Sequence, residues 1–177
     1  MRFLKSFVRS ADSLNEKLGV FVSWITTLLV LVVCYDVFTR YFLKESSVAV
    51  QELEWHLFAV IFLIGAGYTL KHDRHVRVDV LYMKFKPKVK AWVNFLGSLV
   101  FLIPFCVLGI WSSKNFVMNS FQIGEGSPDP GGLPARYILK AVIPVGFLLL
   151  LVQASALTFR SWIEIFKKEQ SAEEANQ

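Results

Sequence analysis

The sequence predicts an all-α integral membrane protein, with four transmembrane helices plus an N-terminal interfacial amphipathic helix. Three observations carry that prediction. Of 177 residues, 54% are hydrophobic and the mean hydropathy is +0.48, on the apolar side of soluble domains, which keep their charge evenly spread. Four stretches, 18–35, 57–70, 91–113 and 141–159, contain no Asp, Glu, Lys or Arg. The basic residues between them cluster in alternate connections.

Residues 1–16 come first. Phe3, Leu4, Phe7, Val8, Ala11 and Leu14 recur every three or four positions, with Arg2, Lys5, Arg9 and Asp12 between them. One apolar face with a basic flank suits a helix lying in the headgroup plane; the alternative is an extension of the first span. The segment is too mixed for the apolar core of a cleavable signal, so the first span is expected to stay as an anchor. A hydrocarbon core ~30 Å thick takes ~20 helical residues to cross. The first span is read over 17–42 and the third over 91–113. The second is read over 48–71, which places Glu52 and Glu54 in its opening turns. The fourth is read over 134–160, followed by a polar tail over 161–177.

Charge placement sets the expected orientation. Fourteen of the nineteen basic residues fall in three places: Arg2, Lys5, Arg9 and Lys17; then Lys71, Arg74, Arg77, Lys84, Lys86, Lys88 and Lys90; then Arg160, Lys167 and Lys168. The other connections carry only Arg40 and Lys44, then Lys114, Arg136 and Lys140. By the positive-inside rule both termini and the basic loop over 72–90 are expected in the cytoplasm, with 114–133 on the other side. The net charge of +5 is thereby explained by topology and lipid headgroups, and nucleic acid is not an expected partner.

Several residues stand out inside or beside the spans. Asp36 and Arg40 share a helix face at i,i+4 spacing, as a charge pair near a span end requires. Glu52 and His56 also share a face, with Glu54 roughly opposite. These carboxylates either meet a basic residue of a partner helix or sit at the water boundary. Trp55 is an interfacial anchor type. Gly65 and Gly67 offer a smooth surface for close helix approach, and Gln153, deep in the fourth span, should face protein. Pro104 is placed to kink the third span, while Pro134 suits the first turn of a helix. Cys34 and Cys106 lie in spans and read as small hydrophobes. His72 and His75 have a spacing zinc would accept, but Lys71, Arg74 and Arg77 crowd them with positive charge that repels a cation.

Chemistry of other kinds is missing from the sequence. It has no Gly-rich phosphate loop, no assembled nucleophile–base set, and no histidine deep enough for a bis-histidine haem. Nor does any span read as paired half-helices around a substrate.

Four motifs in order give the chain a family likeness: "FTRYF", "QELEW", "GAGYTLKHDRHVRVDVL" and "GSPDPGGLPARYILKAVIPVGFLLLLVQ". From about Asp36 to Gln153 the chain resembles the small membrane subunit, DctQ-type, of tripartite ATP-independent periplasmic (TRAP) transporters. The matching positions are Arg40, Glu52, Glu54, Trp55, Gly65, His75, Asp79, Pro134, Pro144, Gly146 and Gln153. The resemblance implies a non-catalytic scaffold with no cofactor of its own. Its partners would be a large DctM-type permease, which holds substrate and sodium and moves like an elevator, and a DctP-type periplasmic binding protein. Uptake of a carboxylate such as a dicarboxylate, a sugar acid or sialic acid is implied, across the bacterial inner membrane. On this basis Asp36, Arg40, Glu52, Glu54, Trp55, Gly65 and Gln153 are candidate large-subunit contacts. Ser127, Asp129, Pro134 and Arg136 form a candidate docking loop for the binding protein. Lys71, Arg74, Arg77, Lys84, Lys86, Lys88 and Lys90 are expected to set topology at the lipid headgroups. Two other classes remain as alternatives: the membrane anchor of a redox complex, which would carry haem or quinone, and a small autonomous exporter driven by protons.

Overall fold

The computed structural model describes residues 2–72 and 85–174, and among these every regular element is a helix. Helix α1 runs over Arg2–Phe38 and closes in a π-helical turn, Thr39–Leu43. Helix α2 covers Val48–Lys71. Helix α3, Pro87–Leu96, passes through a π-helical segment, Gly97–Leu102, into α4, Ile103–Gln122. Helix α5 runs over Arg136–Glu174. Four rods in this set are long and apolar enough to cross a membrane: Phe3–Leu43, Val48–Lys71, Pro87–Gln122 and Arg136–Phe166. The fold class read from the sequence is therefore the one observed.

Local sequence explains where the rods begin and end. Lys44, after the π-helical turn, takes φ 56, a left-handed conformation that breaks the helix, and "ESS" then carries the chain round to α2. Proline opens α3 at Pro87, where its missing N–H costs nothing. Pro104 has no N–H to give the carbonyl four residues back, and its ring crowds that carbonyl. The turn before it opens into the π-helical segment Gly97–Leu102, a recognised way for a helix to absorb such a defect.

One expected boundary has no break at it. The sequence separates an interfacial helix over 1–16 from a span over 17–42, whereas α1 passes through that point without interruption. At 1.5 Å per residue α1 is ~55 Å long, well beyond a hydrocarbon core of ~30 Å. Its first turns pack along α5, with Phe7 edge-on to Phe159 at 5.7 Å between centroids.

Helix α5 is the axis of the molecule. It packs against α1, α2, α3 and α4, while α1 and α2 also form an antiparallel hairpin. A third of its apolar window (33%) is buried within the bundle, against 6–11% for the other rods. Close approach is what allows this. A Cβ on Gly146 of α5 would lie 2.9 Å from the backbone carbonyl oxygen of Leu63 in α2, so the two backbones meet as small residues permit. The apolar centre is Leu70, Cys106, Leu150 and Ala154. Most large apolar side chains point outward, among them Trp24, Phe42, Phe101 and Trp111, as a bundle does when lipid or another membrane protein covers it.

Candidate functional site

The polar groups of the bundle collect at its two ends. At the end where α4 hands over to α5, Glu52 lies in the second turn of α2 and is only 4% exposed. Its carboxylate accepts a hydrogen bond from Ser127 Oγ and another from the Leu133 backbone N–H, each at 2.6 Å. Arg136 Nη2 stands 3.6 Å from the same carboxylate. A charge taken out of water needs such donors. His56, one turn on, meets the Glu52 backbone carbonyl rather than its carboxylate.

The loop over 123–135 is shaped to deliver those donors. Ser127 N–H bonds to Leu133 C=O at 3.0 Å, and Gly132 N–H to Asp129 C=O at 3.0 Å. Gly132 sits against the carboxylate: a Cβ there would lie 2.7 Å from Glu52 Oε2 and 2.3 Å from Ser127 Oγ. Ala135 takes φ 61, so α5 begins at Arg136 and Pro134 is left in the loop, two residues short of the expected helix turn. Arg136 N–H bonds to Glu125 C=O at 2.8 Å.

A second latch fixes the loop's other flank. Glu125 accepts from Lys140 of α5 and from Ser120 Oγ of α4. Lys140 and then Ser120 hold the Glu125 carboxyl below its ordinary value, since both favour the ionised form. The cations also sit on rings: Arg136 lies 5.4 Å from the Trp55 ring centre and Lys140 4.1 Å from that of Phe116. Trp55 thus has a cation of its own chain above its ring. Beneath them an apolar groove of about 520 Å³ lies among Phe58, Phe62, Phe116, Leu139 and Ile143.

The opposite end holds a buried amide clasp. Asn15 Nδ2 donates to Gln153 Oε1 at 2.8 Å, and Gln153 Nε2 donates to Asp12 Oδ1 at 2.9 Å. Arg160 closes on the other oxygen of Asp12. Gly67 makes room: a Cβ there would lie 2.2 Å from Asn15 Oδ1. Nearby, Glu16 binds Lys71 and meets His72 Nε2 at 3.1 Å.

The expected large-subunit contacts divide accordingly. Glu52 and Gln153 spend their polar atoms inside this chain. Gly65 faces Val22 of α1 across an ordinary contact of 3.7 Å; Gly67, not Gly65, is the position that forbids a side chain. Asp36 is buried and paired with Arg40, half of whose side chain is exposed, and Asp36 Oδ1 is without a partner among the described residues. Glu54 Oε1 is likewise buried without one. In the loop, Asp129 and Pro134 are exposed, whereas Ser127 and Arg136 are half-buried in the Glu52 latch. Lys86 and Lys88 are exposed, Lys71 is held by Glu16, and Arg74, Arg77, Lys84, His75 and Asp79 lie outside the described residues. Among the described residues no three His, Cys, Asp or Glu side chains come together as metal ligands.

Sequence reasoning missed Asn15 as a core group, Asp12 and Glu16 as its partly exposed flanks and Glu125 as a latch. The signal was there for the first set: Ala11, Asn15, Gly19 and Val22 fall on one helical stripe. Asp12 and Glu16 border that stripe.

Comparison with known proteins places the chain among membrane transport components. Residues 29–164 match the family described as tripartite ATP-independent periplasmic transporters, DctQ component. A TRAP transporter small permease protein of Haemophilus influenzae is 24% identical over 157 residues, covering 87% of this chain and 97% of that protein. The ectoine TRAP transporter small permease protein of Halomonas elongata is 26% identical over 152 residues, covering 85% of this chain and 77% of that one.

Proposed function

This chain belongs to the DctQ component family of the TRAP transporters, and on that premise we propose that it is the non-catalytic scaffold of a sodium-coupled uptake system for an organic acid. It is a small permease subunit, a multi-pass protein of the inner membrane. In this reading a large DctM-type subunit carries substrate and sodium, and this chain braces its stationary part. A DctP-type binding protein docks at the end bearing the loop over 123–135. Sodium coupling and a carboxylate substrate come from the family resemblance. Both termini lie in the cytoplasm, as fourteen of nineteen basic residues favour. The matches lend no support to a redox anchor.

The observation that carries the scaffold reading is the Glu52 latch. Through Ser127 and Leu133 it ties the one long inter-span loop among the described residues to α2, while Glu125 ties it to α4 and α5. Loop and rods then move as one piece, which is what a brace and a docking platform need. A carboxylate committed to that task is not a transport site.

The test is reconstitution in two forms. Vesicles holding this chain alone should show no solute uptake, and deleting it while keeping the large subunit should abolish uptake. Affinity purification of the chain should bring down a much larger membrane protein. Uptake by the chain alone, or its recovery with no large partner, defeats the reading.

A further inference from the structure

Beside the groove under Trp55, a larger crevice of about 830 Å³ lies between α4 and α5. Val107 and Trp111 form its α4 wall, Tyr137, Ala141 and Pro144 its α5 wall, and Lys114 is the only charged group in its lining. Lys114 is also the first charged residue after the uncharged stretch 91–113, so it sits where hydrocarbon gives way to headgroups. Trp111, 74% exposed, and Tyr137 have the amphipathic rings of that layer.

The charge on Lys114 is uncompensated. Its neighbours Lys140 and Arg136 are held by Glu125 and Glu52, but among the described residues Lys114 has no ion-pair or hydrogen-bond partner. An apolar trough with one unpaired ammonium midway along its α4 wall, at headgroup depth, is complementary to an amphiphile with an anionic head. We propose that this crevice is a glycerophospholipid site, with an acyl chain along Val107, Ile110 and Pro144 and the phosphate on Lys114. The bilayer supplies this occupant at high concentration and at the right depth. The proposal does not depend on the transporter reading above.

The full chain, purified in mild detergent, is titrated with dioleoylphosphatidylglycerol or with dioleoylglycerol, which has the same chains and no phosphate, and bound lipid is counted by native mass spectrometry. Wild type should prefer the phospholipid by about fivefold or more, as one basic residue at an anionic headgroup provides. Lys114→Gln should lose that preference without changing dioleoylglycerol binding, and Lys114→Arg should keep it. Equal binding of the two lipids by wild type overturns the proposal, as does an unchanged preference in Lys114→Gln. A third outcome also overturns it: in the purified complex, a cysteine at Met118 crosslinks to another subunit and no phospholipid is retained, so protein fills the crevice.

Discussion

Glu52 takes its hydrogen-bond donors from positions 75 and 81 residues further along the chain, so one side chain decides whether the loop is fixed. Glu52→Ala leaves Ser127 and the Leu133 N–H without their acceptor. Proteolysis within 125–133 of the purified chain should then quicken severalfold, with Glu52→Gln intermediate because it keeps an acceptor and loses the charge opposite Arg136. A cleavage rate unchanged in Glu52→Ala removes the latch from the account. Glu125 gives a pH signature. Its folded value lies below the ordinary 4.5, so its pairing with Lys140 contributes in full above that value and is lost as pH falls through the lowered one. Thermal stability should decline below about pH 4.5 more steeply in wild type than in Glu125→Gln; equal slopes count against the pairing. Composition and motif order revealed four spans and a family, because hydropathy and charge are local properties. The partners of Glu52 and Gln153 were not legible. Their donors lie about 80 and 140 residues away in sequence, and a lone carboxylate in a span looks the same whether it faces a partner or its own loop.

Between elements, the α2–α5 contact is set by glycine rather than by large side chains. Gly146→Leu forces α5 off the backbone of Leu63, and overpacking of this kind costs about 1–3 kcal/mol. It should lower the thermal midpoint in detergent by several degrees, whereas Gly65→Ala, with only Val22 at 3.7 Å, should be nearly neutral. Equal effects of the two would mean that the backbones do not approach as described. The clasp at the other end is worth less per bond. Interhelical hydrogen bonds between membrane helices average about 0.6 kcal/mol, so Gln153→Leu, which loses its bonds to Asn15 and Asp12, should destabilise by about 1 kcal/mol. The sequence pointed to Pro104 as a kink and to Gly65 and Gly67 alike as a smooth surface, since backbone chemistry reads locally, but it did not tell the tightly packed Gly67 from the roomier Gly65. It left open whether residues 2–16 lie flat or extend the first span, and the structure has the extension, because an apolar face at helical spacing fits α5 as well as it fits a lipid headgroup layer.

Orientation belongs to the molecule as a whole, because no single contact determines it. The end bearing the Glu52 latch has few cations, and two of them are paired, Arg136 with Glu52 and Lys140 with Glu125. Lys86, at the other end, is exposed, and in the sequence most lysines and arginines fall in the connection over 72–90 and the two terminal segments. In the proposed orientation, the K/R bias of short connections retains them on the cytoplasmic side during insertion. A cysteine placed at Asp129, in a background lacking Cys34 and Cys106, should react with a membrane-impermeant maleimide in intact spheroplasts, and one at Lys86 should react only after lysis. Neutralising Lys84, Lys86, Lys88 and Lys90 together should make the labelling at Asp129 partial, as a mixed population inserts both ways. Strengthening the opposite bias, with lysines at Glu45 and Ser46, should add to that mixture. If labelling at Asp129 stays complete in both variants, the basic loop does not determine orientation, and the retention of Arg160 and the N-terminal Arg2, Lys5 and Arg9 must suffice.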